Sequence, residues 1–359
     1  MLSISRLKAS CVRNLQELNI EPASRINYFY GPNASGKTSV LETIYLLSRV
    51  NSFRSSRINS VITHGDKVLS VHAQGRNEGQ PFSIGIEKGY GLMRLRFNGT
   101  NVNSASEQAK SFPVFLLAPD HNLLFYGGPR QRRHWLDWSL FHVEQDYLET
   151  WKNYHRAVRH RNALLKGHRG FKQSEMEGWE NIMSVEAARI DALRSSYIEQ
   201  LQRSLNNDYL PLLLDDSAVI EYRNSLSGEA LREKLLQSRP EDSQRGFTGC
   251  GPHRADIRFE YAGLDVARHL SRGQIKLFGA ALISAQLQAI KQRGVGAIVL
   301  VDDIDAELDN ESSRKIMQLL IANDTQTFVS SLDLPDWVPR SNEQDAVFHV
   351  KQGRVEKTG

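Results

Sequence analysis

Residues 26–50 read INYFYGPNASGKTSVLETIYLLSRV. The apolar run at 26–30 predicts a buried strand, and the residues after position 38 have apolar side chains at helical spacing. Between them lies G-x-x-x-x-G-K-T, which in a strand, loop and helix context is typical of a phosphate-binding loop. Its glycines let backbone N–H groups turn toward phosphate oxygens, and the helix start adds a positive dipole end. The predicted nucleotide site therefore includes Gly31, Pro32, Asn33, Ala34, Ser35, Gly36, Lys37 and Thr38.

The second half of the predicted site follows the apolar run AIVLV at 297–301 and consists of Asp302 and Asp303. Such a run predicts a strand buried on both faces of a parallel sheet, and ligands bind at the carboxyl ends of such strands. Lys37 is predicted to reach the β- and γ-phosphates of ATP, and Thr38 and Asp302 to hold Mg²⁺. Asp303 is placed to orient or deprotonate the attacking water. A solvated acidic turn is the alternative, but the loop in the same chain favours the functional interpretation.

A long insertion separates these two halves, because Lys37 and Asp302 are 265 residues apart. Just before the second half, LSRGQ at 270–274 opens a long amphipathic helix for which Ser271 is a good N-cap. The sequence predicts an α/β fold in three segments. Residues 1–130 and 246–359 form the two halves of one ATPase head, and residues 131–245 form an inserted helical arm.

The predicted arm consists of two helices that pack as an antiparallel hairpin joined near residues 166–174, since apolar side chains recur at helical spacing on both sides. Its segment 152–172 reads KNYHRAVRHRNALLKGHRGFK, with seven Lys or Arg, three His and no acid. A solvated basic face is the plain interpretation, and contact with DNA phosphates is the one we favour. The candidate DNA contacts are Arg156, Arg159, Arg161, Lys166 and Arg169.

Composition excludes several other classes of protein. Of the 359 residues 40% are hydrophobic and 24% charged, with a net charge of +4, as in ordinary soluble proteins. No run approaches 18 apolar residues, so a transmembrane helix is not expected. Cys11 and Cys250 are too few for a disulfide framework, and reduced thiols in a cytoplasmic protein are expected. The sequence shows no Ser-His-Asp or Cys-His nucleophile pattern and no metal-ligand spacing among its eleven histidines.

The loop, LSRGQ, the paired acids and Ala306-Glu307-Leu308-Asp309 together resemble the ATP-binding-cassette (ABC) head shared by SMC and RecF proteins. Within that group the chain is similar to the RecF family across essentially its whole length. Four further segments carry this resemblance: Val12-Arg13-Asn14, Ser52-Phe53-Arg54, Gly127-Gly128-Pro129 with Arg132-Arg133, and Gly251-Pro252-His253-Arg254-Ala255-Asp256.

The resemblance implies an ABC-type P-loop head with a mixed sheet, and a mechanism in which two heads pack head to tail around ATP. Ser271, Gly273 and Gln274 would then meet the γ-phosphate held by the other copy, and Asp309 would lie at the interface. It also implies a slow, DNA-stimulated, Mg²⁺-dependent ATPase that dimerises on single-stranded and gapped or junction DNA. With RecO and RecR such a protein would assist RecA in replication, gap repair and SOS induction, in the cytoplasm at the nucleoid.

Three departures from the cassette pattern limit these implications. Arg272 stands where transporters have glycine, and Asp303 replaces the usual catalytic glutamate. The segment SSLD at 330–333 stands where many cassettes have a switch histidine, so the γ-phosphate sensor is unassigned. Two other classes are open: the soluble ATPase subunit of a transporter, against which Arg272, the arm and its basic tip argue, and a structural DNA-binding protein with a relic ATP site.

Overall fold

The computed structural model describes residues 1–55, 57–102, 104–119, 123–167, 172–224, 226–338 and 342–358. In chain order its strands are β1 (Leu2–Val12), β2 (Leu15–Ile20), β3 (Ile26–Tyr30), β4 (Val68–Asn77), β5 (Gln80–Gly89), β6 (Leu92–Phe97), β7 (Thr100–Asn101), β8 (Val114–Leu117), β9 (Ala218–Arg223), β10 (Asp256–Tyr261), β11 (Leu264–Asp265), β12 (Ile298–Val301), β13 (Gln326–Ser331), β14 (Asp345–Lys351) and β15 (Arg354–Thr358). Its helices are α1 (Lys37–Arg49), α2 (Ala105–Ser111), α3 (Leu123–Tyr126), α4 (Pro129–Val143), α5 (Tyr147–Leu165), α6 (Gln173–Ser204), α7 (Gly228–Gln237), α8 (Arg239–Arg245), α9 (Val266–His269), α10 (Arg272–Lys291) and α11 (Asn310–Ala322).

The chain divides into two compact units. The first comprises Met1–Asn122, Asp208–Asp215 and Leu270–Gly359, and the second comprises Leu123–Asn207 and Asp216–His269. The second unit extends beyond the predicted arm of 131–245 at both ends. At its later end the reason is strand pairing: β10 forms an antiparallel pair with β9 along its whole length, so residues 256–261 belong to a three-stranded sheet of order β11-β10-β9.

A six-stranded sheet of the first unit, in the order β15-β14-β3-β13-β12-β8, supports the phosphate-binding loop. Its neighbouring strands are parallel except for β14 and β15. Every residue of β8, β12 and β13 is buried, which explains the continuous apolar sequences of β8 and β12. The mixed sheet and α/β class predicted from the sequence are confirmed.

A second six-stranded sheet of the first unit is antiparallel, in the order β2-β1-β4-β5-β6-β7. Helix α1 buries Val40, Leu41, Ile44 and Leu47 in one hydrophobic core with residues of both sheets. Truncating Leu41, Ile44 or Leu47 to alanine would cost about 2–5 kcal/mol through reduced burial and a cavity. This core therefore holds the helix that begins at the phosphate-binding loop.

In the second unit α5 and α6 pack along each other. The part of the chain predicted as the first helix of the arm forms two helices, α4 and α5, separated at 144–146 where Glu144 adopts an extended backbone. The hairpin of α5 and α6 is therefore preceded by a separate helix. Among the described residues, no helix is long and apolar enough to cross a membrane.

Candidate nucleotide-binding site

The phosphate-binding loop joins β3 to α1 in a conformation that requires its two glycines. A Cβ on Gly31 (φ 150°) would lie 2.2 Å from the carbonyl oxygen of Val350, and Gly36 has a left-handed φ of 118°. Lys37 is buried, and its Nζ donates to the carbonyls of Gly31 at 2.7 Å and Pro32 at 3.2 Å. The lysine charge is thus held against the loop itself.

The acid at the end of β12 meets the loop. Thr38 Oγ1 donates to Asp302 Oδ1 at 2.9 Å, and Ser330 Oγ donates to the same oxygen at 2.7 Å. Ser330 also accepts a hydrogen bond from the backbone N–H of Asp303 at 2.9 Å. The sequence by itself assigns no role to Ser330. Because β13 runs parallel to β12 with Val329 opposite Val301, the residues after both strands come together.

The carboxyl group of Asp302 has an unusual electrostatic environment. Burial raises its pKa to about 6, and the nearby charge of Asp303 acts in the same direction. The hydrogen bonds from Ser330 and Thr38, and the charge of Arg54, oppose this rise. Since the pKa lies above its unfolded value of 3.8, this group's contribution to stability is lost as the pH rises from about 4 through 6. A bound cation would favour the ionised form.

Both backbone polar groups of Asp303, the N–H and the carbonyl, are hydrogen-bonded to side chains. It has a left-handed φ of 46°, its N–H is bound by Ser330, and its carbonyl accepts a hydrogen bond from Lys276 Nζ at 2.5 Å. Lys276 lies on α10 and also donates to the carbonyls of Ile304 and Ala306. Burial lowers its pKa to about 8, although the surrounding acids oppose that shift. One buried lysine therefore ties α10 to the segment that follows β12.

A cavity of about 570 Å³ lies over the loop and is lined by all its residues from Asn33 to Thr38 and by Asp303. Arg13, Asn14 and Arg54 also line it. Asn14 accepts from Ser39 Oγ at 2.9 Å and donates to the Ala34 carbonyl at 3.3 Å, so it braces the loop against α1. In the sequence these three residues stand out only as marks of family resemblance. The motifs Val12-Arg13-Asn14 and Ser52-Phe53-Arg54 are the sequence signal that could identify them as residues of the site.

The predicted signature residues do not line this cavity. Ser271 is exposed at the start of α10, where its Oγ accepts from the Gln274 N–H and the Gln274 side chain accepts from the Ser271 N–H. A Cβ on Gly273 would lie 2.8 Å from the Glu307 carbonyl oxygen. Asp309 is also exposed and caps α11 by accepting from the Ser312 N–H at 2.6 Å. Within this copy, these residues serve as helix caps and close contacts.

Three of the five candidate DNA contacts are exposed: Arg156, Arg159 and Lys166. Arg156 and Arg159 lie on one face of α5 together with Lys152, which is exposed as well. Lys166 follows the end of α5 and packs its aliphatic carbons near Gly246. Arg169 lies outside the described residues.

The prediction for Arg161 was wrong, because this side chain is fully buried. Its guanidinium makes ion pairs with Glu180 at 3.0 Å and Asp242 at 2.8 Å, and donates to Thr248 and to the Leu235 carbonyl. Removing one partner from such a buried pair costs about 3–5 kcal/mol. Arg161 therefore stabilises the second unit and is unavailable to DNA. Acids far away in sequence neutralise it, which a local count of charges could not reveal.

The fold and the loop define a P-loop nucleotide-binding head of the ABC type. A family model described as "RecF/RecN/SMC N terminal domain" matches residues 3–356. The "DNA replication and repair protein RecF" of Azotobacter vinelandii is 37% identical over 364 residues, which cover 99% of each chain. The chain belongs to the RecF family.

Another relative and two solved structures are also similar to this chain. The "DNA replication and repair protein RecF" of Pseudomonas aeruginosa is 37% identical over 365 residues, covering 99% of this chain and 98% of the relative. A structure titled "Structure of the recombination mediator protein RecF-ATP in RecFOR pathway" superposes with a TM-score of 0.88 and 25% identity, over 100% of this chain and 98% of that one. An SMC head bound to a domain of ScpA has the same fold, with a TM-score of 0.57, 16% identity and coverage of 99% of this chain and 97% of that one. Membership of this family weighs against a transporter subunit.

Proposed function

We propose that this protein is a slow, Mg²⁺-dependent ATPase that binds DNA in an ATP-dependent manner during replication and recombinational repair. One observation carries the proposal: Thr38 and Asp302 meet at 2.9 Å beside the buried Lys37, in a chain of the RecF family. The names of its relatives and the ATP complex of a similar structure support the same function.

The pair formed by Thr38 on α1 and Asp302 after β12 fits Mg²⁺. This ion takes hard oxygen ligands and retains several waters, and Thr38 and Asp302 supply a hydroxyl and a carboxylate oxygen in contact with each other. A buried carboxylate with a raised pKa is one that a cation would stabilise. When bound, the ion would offset negative charge on the phosphates of ATP.

Asp303 would orient the attacking water. Its backbone is clamped by Ser330 and Lys276, which limits the motion of its carboxylate. Aspartate is one methylene shorter than the usual glutamate, so its reach is less and slow turnover is expected. Slow ATP hydrolysis is expected of a protein that stays bound to DNA for as long as its ATP is intact.

Replacing Ser330 by alanine should weaken Mg²⁺-ATP binding at neutral pH. The hydroxyl lowers the pKa of Asp302, so its loss raises that pKa above about 6 and leaves less ionised carboxylate near pH 7. We expect a loss of affinity of about tenfold, and a pH dependence of binding that moves to higher pH. Titration calorimetry at several pH values would measure both. Ser331→Ala is the matched control, because Ser331 donates to the Asp333 carbonyl and not to Asp302. A pH dependence identical in both variants would contradict the role of Ser330.

The protein would act as an ATP-dependent homodimer. Ser271, Gly273 and Gln274 do not line the cavity of their own copy, and Ser271 and Gln274 are exposed at a helix N-terminus. Such a terminus can bind the γ-phosphate held by a second copy. Asp309 would lie at the same interface. ATP binding then favours the dimer and hydrolysis releases it, a two-state equilibrium biased by the nucleotide.

DNA binding would use the backbone of single-stranded and gapped or junction DNA. The exposed cations Arg156, Arg159 and Lys166 are suited to phosphate contacts and not to reading bases. A similar structure is named for the RecFOR pathway, which supports RecO and RecR as partners. The proposed role in RecA loading and SOS induction at the nucleoid follows from the family resemblance.

Changing Arg156 and Arg159 together to glutamate should lower the affinity for gapped duplex about tenfold or more, since fewer phosphates are neutralised and fewer counterions are released on binding. The slope of log affinity against log salt should flatten by about one for each phosphate that is no longer neutralised. Fluorescence anisotropy between about 50 and 200 mM salt would show both effects. The control, Arg189→Glu with Arg203→Glu on α6, makes the same change of charge at exposed positions.

The same assay tests the proposed function. If the variant with Arg156→Glu and Arg159→Glu binds gapped duplex as tightly as the unaltered protein, this face of α5 is a solvated basic surface that does not contact DNA. DNA retention that is equal with and without Mg²⁺-ATP, and that survives Lys37→Arg, would instead describe a DNA-binding scaffold with a relic ATP site.

A further inference from the structure

The second unit contains a cavity of about 630 Å³ that no candidate residue above lines. Helix α4 contributes Arg130 and Arg133, and α5 contributes Trp151 and His155. Arg194 and His253 also line it. The volume lies within the range of small-ligand sites. This cavity brings together RQRR at 130–133 and the Gly-Pro-His-Arg motif at 251–254, neither of which has a function that the sequence alone reveals.

The charges in this cavity are unbalanced. Arg194 is neutralised by Asp137 at 2.7 Å. Arg133 is half-buried and donates to the Ala255 carbonyl at 2.6 Å, and among the described residues no carboxylate forms an ion pair with it or with the exposed Arg130. Burial and the charges of Arg194 and Arg254 lower the pKa of Arg133, and the acids Asp137 and Asp256 only partly oppose that shift. A guanidinium in this position is suited to an anion from outside the chain.

A neutral aromatic wall lies beside these cations. The ring centroids of Trp151 and His155 are 4.0 Å apart, and Trp151 is fixed by donating from Nε1 to Asp137 at 3.1 Å. The pKa of His155 is lowered to about 4, mainly by burial, with Arg194, Arg159 and Arg133 acting in the same direction and Asp137 opposing them. His155 is therefore uncharged at neutral pH, and the wall consists of two uncharged rings tilted at 45° to each other.

His253 shapes this cavity and keeps both ring nitrogens occupied. Nδ1 accepts from the Tyr154 hydroxyl at 2.7 Å, and Nε2 donates to the Thr248 carbonyl at 3.2 Å. Gly251, with φ 115°, approaches the same hydroxyl so closely that a Cβ would lie 2.3 Å from it. The motif at 251–254 thus packs against α5 at Tyr154, the residue next to His155.

We propose that this cavity binds one unpaired nucleotide of a DNA strand, with its phosphate on Arg130 and Arg133 and its base against Trp151 and His155. This inference rests on the proposed function and assigns a site to it. An acidic side chain would use the cations but leave the aromatic wall unused, whereas a nucleotide matches both. Arg156 and Arg159 are exposed on the same helix as Trp151 and His155, so neighbouring phosphates of the strand have cations within reach.

Binding of a fluorescein-labelled oligothymidine to the full-length protein with Mg²⁺-ATP tests the site. Arg133→Met keeps the aliphatic stem, and Arg130→Glu changes an exposed residue. We expect Arg133→Met to bind about tenfold more weakly than the unaltered protein, in line with the removal of one charged hydrogen-bond donor. Arg130→Glu should bind more weakly by at least as much, because it also places a negative charge beside the phosphate. Arg232→Glu on α7, an exposed arginine elsewhere in the unit, should bind as the unaltered protein does. Thermal melting checks that each variant is folded.

Stacking is measured with 2-aminopurine in the oligonucleotide. Its fluorescence should fall on binding, and Trp151→Leu should abolish that change. A strand with abasic positions throughout should bind about tenfold more weakly to the unaltered protein than the normal strand.

The outcomes separate the two proposals. If the unaltered protein binds no DNA, the proposed function fails. If it binds DNA but Arg130→Glu and Arg133→Met bind equally well, only the nucleotide pocket is overturned. In a third outcome, an oligoglutamate peptide displaces the oligonucleotide from the unaltered protein but not from Arg130→Glu. That result would assign the cavity to an acidic protein segment and would overturn the nucleotide pocket.

Discussion

Replacing Lys37 by methionine is expected to slow ATP hydrolysis by at least about 100-fold, the loss typical of removing one charge that stabilises a transition state. The ammonium is buried and bound to the carbonyls of Gly31 and Pro32, so its position is set before nucleotide arrives. Methionine keeps much of the side chain's length and apolar packing, and it removes the charge. The measurement is phosphate release at saturating Mg²⁺-ATP.

The matched control is Lys291→Met at the exposed end of α10, which also removes one positive charge from the first unit. Its hydrolysis rate should equal that of the unaltered protein, and both variants should melt near the same temperature. A Lys37→Met protein that is folded and still hydrolyses ATP within a few-fold of the unaltered rate would refute the assignment of the loop as the catalytic nucleotide site.

Mixing two inactive variants should restore activity if the site is shared between copies. Lys37→Met inactivates the loop, and Ser271→Arg places a long cation at the exposed start of α10. In a random mixture half of the dimers contain one of each variant, and one of the two sites in such a dimer is intact. We expect about a quarter of the unaltered activity in the mixture and close to none in either variant alone.

A second change at the same position separates helix capping from contact with phosphate. Aspartate caps a helix as well as serine does, but its negative charge would repel the γ-phosphate of the opposing copy. Ser271→Asp should therefore melt like the unaltered protein and hydrolyse ATP far more slowly. Full activity in Ser271→Asp, or no recovery in the mixture, would mean that Ser271 is only a cap and that each copy works alone.

A shared site also predicts how activity depends on concentration. If a lone copy lacks the residues that complete its site, hydrolysis per molecule should rise with protein concentration until dimerisation is complete. Light scattering with and without Mg²⁺-ATP should show the same transition. The shift of the equilibrium toward the dimer would equal the difference between the affinity of ATP for the dimer and its affinity for the monomer.

The sequence alone determined the fold class and the nucleotide loop. The loop chemistry resides in eight consecutive residues, 31–38, and the acids at 302–303 directly follow the apolar strand that places them. Both signals are local, because backbone N–H groups and a helix terminus are available only where the chain itself turns. The capping role of Ser271 was likewise predicted from a local pattern, and the structure shows it.

Only the tertiary structure decided which polar side chains are available to a ligand. Ser330 meets Asp302 because two parallel strands end side by side, although the residues are 28 positions apart. Arg161 and Arg159 are two residues apart in one basic segment, yet Arg161 is enclosed by Glu180 and Asp242, whereas Arg159 is exposed. The difference arises because the exposure of a helical side chain is set by the elements packed against that face, and those elements come from distant parts of the chain.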